Sequence, residues 1–271
     1  MEPLNLVLKE IDCVSAPDAT NDDFRGQIAD ILHNYLTTEE HSRNLINTTT
    51  RSITDLLTEP PKSPEGTAAL AIIWDLCCVA SEQIPTYHDG QMKLAELVIG
   101  LGNSCETGYT APWEGYTVHL YKLVRPDHIT ISSIPREICE KTSQAWINKN
   151  AFWARLNTLS RGFAWGICFC VLRDTFQNTA SHDYTTLNYR VPAAAQWIFL
   201  SGEHVLKALR SPPPPEGKII SKEIPPWTFH TWFRWKAGFR SAAYEHDLQP
   251  ETRELAKSAA SFMDYLEDIK I

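Results

Sequence analysis

The longest uninterrupted apolar run in the chain, Gly162 to Leu172, is closed at both ends by Arg161 and Arg173. Eleven residues of helix rise about 16 Å, roughly half the thickness of a bilayer core. The run is therefore too short to span a membrane and reads as a helix buried inside a soluble protein. It belongs to a longer helical stretch expected over about 148–177, with room for a break near its start. A helix that is apolar on most of its surface must be covered on several sides. The helices expected at 64–83, 192–209 and 250–269 are the ones available to cover it.

The rest of the chain reads as further helix. Asn21 suits an N-cap for a helix from Asp22 to about Leu36, with Phe24, Ile28, Ile31, Leu32 and Tyr35 on one face. A weaker helix follows from about Arg43 to Leu57. Pro64 stands at the first helical position of a segment running to about Gln83, with Ser63 as its cap. Gly90 to Leu101 is short and amphipathic, with Gly102 placed to end it. A helix begins near Pro135 and carries Ile138 and Trp146. A polar linker occupies 178–190, and Pro192 opens the next helix, to about Leu209. Pro212–Pro215 is a stiff spacer. An aromatic helix runs from Trp227 to about Tyr244, and Pro250 opens the last one, with Leu255, Phe262, Met263 and Leu266 facing the core. Residues 103–134 are irregular, with short strands the only regular structure suggested, within 117–132.

The expected fold is all-α: an irregular orthogonal bundle of about eight or nine helices around a long buried central helix. Residues 1–271 form a single helical domain in this reading, with 1–62 an N-terminal helical extension. With 43% apolar and 21% charged residues the chain is globular, and its 271 residues can bury a sizeable core. The net charge of −8 disfavours a nucleic-acid binder, which needs clustered Lys and Arg against phosphates. Met1-Glu2-Pro3-Leu4-Asn5 has neither a basic start nor an apolar core, so no secretory signal or transit peptide is expected and a cytoplasmic location is. Seven cysteines, two pairs of them inside apparent helices, read as reduced thiols packed as small apolar groups.

Four segments resemble a known family. Trp74-Asp75-Leu76 with Gln83-Ile84-Pro85 is similar to its first block, and Asn150-Ala151-Phe152-Trp153-Ala154-Arg155-Leu156 to its second. Pro192-Ala193-Ala194-Ala195-Gln196-Trp197-Ile198 with Gly202-Glu203 resembles the third. The terminal helix, with Ala256, Ala260 and Met263, resembles the last. The family is one of filamentous-fungal (ascomycete) helical proteins catalogued only as a domain of unknown function, and the resemblance covers about 65–265. It implies a fungal source, an all-helical fold and no established activity. It supplies no catalytic residues to carry over, and 103–134 departs from it.

Candidate chemistry starts on the central helix. Arg155 and Arg173 are eighteen residues apart, five full turns, so on one continuous helix they share an azimuth about 27 Å apart, with Gly162 and Gly166 between them. Two guanidinium groups at the ends of a cleft can hold an acidic ligand. The same residues fit plain packing, with the glycines allowing close approach and each Arg paired to a carboxylate, Asp174 or Glu203. Glu203 and His204 complete the candidate set.

Asp75 and Glu82 face nearly one way on their helix and can in principle do acid–base work or bind Mg2+. They match no aspartate-rich metal motif, however. No zinc spacing, zincin motif, nucleophile elbow, dinucleotide fingerprint or Walker A loop occurs, so no metal or cofactor is expected. The stretch 227–240 interleaves Phe229, Trp232, Phe233, Trp235 and Phe239 with Arg234, Lys236 and Arg240. That pattern suits nucleic-acid stacking, a membrane-surface helix, or an aromatic core helix with a basic outer edge, and the acidic total favours the last. Two functions follow. One is a non-catalytic interaction or accessory protein with an exposed groove along the 227–244 helix, binding another protein. The other is an accessory enzyme of secondary-metabolite biosynthesis, cyclase-like or isomerase-like, enclosing an apolar small molecule in an aromatic pocket.

Overall fold

Proline and cap placement set most of the helix boundaries. The computed structural model describes residues 4–8, 19–57, 64–104, 140–159, 165–177, 184–210 and 228–269. Among these there are nine α-helices and no strand. They fall into two compact units, Met1–Phe163 and Ala164–Ile271.

The first unit holds α1 (Ala19–Thr37), α2 (Arg43–Thr54), α3 (Pro64–Gln83), α4 (Gly90–Ser104) and α5 (Glu140–Leu159). α1 starts before Asn21, which therefore lies in the first turn, and it buries Ile28, Leu32 and Tyr35 as the 3.6 period requires. Ser42 caps α2, its hydroxyl accepting from the Leu45 N–H at 3.1 Å. α3 keeps the expected bounds and is buried nearly all round, through Ile72, Ile73, Trp74, Leu76, Cys77 and Ala80. α4 runs past Gly102 to Ser104, so that glycine does not end it. α5 packs on both α3 and α4, with Phe152 against Trp74 at a ring separation of 6.1 Å.

The second unit holds α6 (Trp165–Phe176), α7 (Tyr184–Arg210), α8 (Phe229–Ala243) and α9 (Pro250–Asp268). α9 packs against both α7 and α8, and α6 does the same. α7 differs from expectation because it begins at Tyr184 and carries Pro192 in its interior. An internal proline removes the hydrogen bond to the carbonyl four residues back, here that of Asn188. That carbonyl accepts instead from the Thr252 hydroxyl of α9 at 3.4 Å, and the Asn188 side-chain oxygen accepts from the Gln249 N–H at 2.9 Å. The start of α9 supplies the donors that let α7 continue through the proline.

The single helix expected over 148–177 is not found among the described elements. α5 and α6 divide that stretch, and they belong to different units. The strands suggested within 117–132 and the helix start near Pro135 lie outside the described residues. No helix among the described residues is long and apolar enough to cross a membrane.

Close approach by glycine occurs at positions the apolar run did not indicate. A Cβ on Gly238 of α8 would clash with Phe176 Cδ1 and stand 2.6 Å from its Cγ, so α8 lies directly on that ring. At Gly202 of α7 a Cβ would meet Leu266 Cδ1 at 2.9 Å.

Candidate functional site

The last carbonyls of a helix have no partner within it and carry the negative end of its dipole. In this chain, side chains from neighbouring helices repeatedly fill that need. The end of α3 and the turn after it are the most heavily served. The Gln91 amide, fully buried at the start of α4, donates to the carbonyls of Ser81 (3.0 Å) and Ile84 (2.7 Å). Asn148 of α5 donates to the Glu82 carbonyl at 2.9 Å.

Arg155, two turns along α5, donates to the Thr86 carbonyl at 2.7 Å and to its own helix at Ala151 (3.2 Å). Burial lowers its basicity from the ordinary arginine value. Arg155 is thus a clamp on the turn after α3. Carbonyls, rather than the carboxylate that packing suggested, take up the guanidinium.

Arg173 does meet the expected acid. Its Nε donates to Asp174 Oδ1 at 2.8 Å, and that bond raises its basicity against the opposing effect of burial. Arg190 of α7 donates to the Asp174 carbonyl at 3.1 Å. Arg155 and Arg173 lie in different units, each engaged locally. Gly162 lies outside the described residues. Glu203 is exposed on α7 and His204 half-buried beside it.

The Asp75/Glu82 face acquires a partner that sequence reasoning missed. Lys149 of α5 donates to Glu82 Oε1 at 2.6 Å and lies 5.5 Å from the centre of the Trp153 ring. Burial opposes its charge, but the electrostatic contributions of Cys78, Glu82 and Asp75 outweigh it and raise its basicity. Cys78, buried on the same face, is pushed up to about 12, chiefly by burial, so it stays a thiol at neutral pH. Cys77 is raised by burial as well. Cys77, Cys78, Cys168 and Cys170 are all free thiols. A lysine sitting over these acids fills the place a cation would take. No group of three His, Cys, Asp or Glu among the described residues is arranged to hold a metal.

α8 buries Trp232, Trp235 and Phe239 fully, whereas Phe229 is half-buried and Phe233 is exposed. Lys236 is the exception to the basic outer edge, since only 7% of it is exposed. Its ammonium donates to Asp264 Oδ1 (2.8 Å) and to both Glu267 oxygens (2.6 and 2.7 Å) on α9. Trp232 Nε1 donates to Glu267 Oε1 at 2.7 Å, and Arg240 grips Asp264 from the rim at 2.8 and 2.9 Å. Burial disfavours the Lys236 charge, but the bonds to Asp264 and Glu267 prevail and raise its basicity. Asp264 is lowered, first by Lys236 and then by Arg240. The helical period puts Lys236 on the face of Trp232 and Phe239, but the acids that pair with it lie 28 and 31 residues away.

A family model described as "Protein of unknown function (DUF3632)" matches residues 74–239. The chain belongs to this family. The match opens on Trp74 and takes in the first three blocks singled out above, while Ala256, Ala260 and Met263 lie beyond it. No curated protein and no solved structure matches the chain. In this DUF3632 chain the blocks have assignable physical work. Asn150–Leu156 carries the α5 core and the Arg155 clamp, Gln83–Pro85 forms the turn that Gln91 and Arg155 hold, and Ala193–Ala195 are buried without exposure.

Proposed function

We propose that this chain is a non-catalytic interaction protein. One observation carries the reading: within each unit, the charged groups that stand out as candidates are bonded to the fold itself. Arg155 closes the turn after α3, Lys149 neutralises Glu82, and Arg173 pairs with Asp174. A catalytic group must instead present its proton or lone pair to a substrate. The same reading takes the source to be a filamentous fungus and the location to be the cytoplasm.

Two measurements test it. Native mass spectrometry of the protein from its own host is expected to give the mass of the bare chain. Crosslinking in those cells is expected to recover peptides of a second protein joined to this one. A retained apolar molecule of a few hundred daltons, with no protein crosslink, would overturn the proposal in favour of an accessory enzyme.

A further inference from the structure

α8 packs on α6, α7 and α9 through the side that carries Trp232, Trp235 and Phe239. The opposite side has a pattern of its own. Phe233, Ala237 and the C-cap Tyr244 fall at i, i+4 and i+11, one line down the helix. All three are exposed, Phe233 by 40% and Tyr244 by 82%. Arg234 and Arg240 stand three residues before and three after Ala237. At about 100° per residue they lie about 60° to either side of that line. An apolar seam with charges on both flanks is the layout by which one helix receives another.

A surface Phe or Tyr needs no explanation by itself. Charge makes this face informative. α8 contains no Asp or Glu, in a chain whose 33 acids outnumber its 25 Lys and Arg. Arg234 is exposed and has no carboxylate partner among the described residues. Arg210, exposed at the end of α7, lies 5.4 Å from the centre of the Phe229 ring, which meets Phe233 edge-on at 4.8 Å. The α9 carboxylates beside the face are already engaged, Asp264 by Lys236 and Arg240, Glu267 by Lys236 and Trp232. Glu245 and Asp247, past the helix end, face Tyr184.

We propose that this outer face of α8 docks an amphipathic helix of a partner protein whose apolar stripe is flanked by Asp and Glu. The stripe covers Phe233, Ala237 and Tyr244, and the flanking acids meet Arg234 and Arg240. The small side chain of Ala237 lets the two backbones approach. The proposal rests on the interaction reading above and adds the chemistry of the partner. Other occupants suit the face less. A second copy of α8 brings arginines against arginines. A bilayer surface takes up bulky apolar side chains, and both tryptophans of α8 are buried. A nucleic acid meets a chain of net charge −8.

The probe is a fluorescein-labelled peptide of three Glu-Leu-Ala-Ala-Leu-Glu-Gln repeats, matched by one with Lys in place of each Glu. Fluorescence anisotropy with the full chain at low salt is expected to show the acidic peptide binding about tenfold tighter than the basic one, a gap that salt narrows. Arg234→Glu is expected to weaken the acidic peptide about tenfold and to strengthen the basic one. Ala237→Asp is expected to weaken both. No binding of the acidic peptide, equal binding of the two, or indifference to Arg234→Glu overturns the proposal. So does tighter binding to vesicles of phosphatidylserine and phosphatidylcholine or to a single-stranded oligonucleotide, or a dimer of the chain that Ala237→Asp dissolves.

If the variants fail to fold, hydroxyl-radical footprinting of the unaltered chain decides. Phe233 and Tyr244 are expected to oxidise readily in the chain alone and several-fold more slowly with the acidic peptide bound. Low reactivity in the chain alone overturns the proposal, because the face is then already covered. These outcomes are separate from the interaction reading. A retained small molecule in the host-derived protein sinks that reading whatever the peptide does, and a protein crosslink on another face upholds it even where the peptide fails.

Discussion

Gly238 shows how a single hydrogen atom can be a structural element. Replacing glycine with alanine inside a helix ordinarily gains about 1 kcal/mol of propensity. At 238 the new methyl would clash with the Phe176 ring, and the atoms it meets include Phe176 Cγ and Cβ, which cannot swing away cheaply. Overpacking of this kind costs about 1–3 kcal/mol. Gly238→Ala is therefore expected to destabilise the protein in urea unfolding followed by tryptophan fluorescence. A rise in stability would show that α8 is not pressed on that ring. Arg155 makes a second test at this scale. Arg155→Ala removes a charged donor from the Thr86 carbonyl, and such a bond is worth about 1.5–3 kcal/mol. Loss of that order in the same assay is expected, with Arg155→Lys recovering only part, because an ammonium lacks the planar fork that reaches Thr86 and Ala151 together.

Among the elements, α7 and α9 depend on each other through Pro192. Thr252→Val leaves the Asn188 carbonyl short of its donor and is expected to cost about 1–2 kcal/mol. Combining it with Pro192→Ala restores a helical N–H to the same carbonyl. The double variant should therefore lose less than the sum of the two single changes, and strict additivity would show that the two groups do not share that acceptor. α8 and α9 are tied more strongly. Glu267→Ala takes away two bonds from Lys236 and one from Trp232, leaving the ammonium with Asp264 alone. A loss of about 2–4 kcal/mol is expected, below the full cost of orphaning a buried charge because one partner remains. Glu267→Gln keeps an acceptor for both donors and should lose less. The same network explains why Lys236 is buried while its neighbour Arg234 is exposed. Lys236 lies four residues after Trp232 and three before Phe239, on the buried stripe of the helix that faces the acids of α9, whereas Arg234 lies off it.

For the whole molecule, pH acts on the α8–α9 tie from both the acid and the alkaline side. Asp264 has a folded value below the ordinary 3.8, so its stabilisation is present above that value and is lost as pH falls through the lowered one. Lys236 has a folded value above the ordinary 10.5, so its share is present below 10.5 and is lost as pH rises through the raised one. Acidification below about pH 4 is thus expected to reduce hydrogen-exchange protection, corrected for intrinsic rates, in α8 and α9. Unchanged protection there would count against the Asp264 cluster as the acid-sensitive tie.

The sequence by itself determined the helical class and most of the helix positions. Pro64, Pro250, the caps and the 3.6-residue apolar periods are local signals, and local chemistry acts on them directly. α3 follows its expected bounds, and the inward faces of α1 and α8 match their patterns. What local signals could not carry is which groups meet across the chain. The stretch 148–177 reads as one long helix because its residues are helix-compatible throughout, yet α5 and α6, which divide it, belong to separate units. Pro192 reads as a helix start because the donor that permits it, Thr252, lies 64 residues from the carbonyl it serves. Arg155 reads as a ligand-holding guanidinium or one paired to a carboxylate, and not as a clamp on Thr86, because its acceptor is a backbone carbonyl, and backbone atoms are the same at every position of a sequence. Tertiary structure decided those pairings, since it alone sets which donors reach which helix ends.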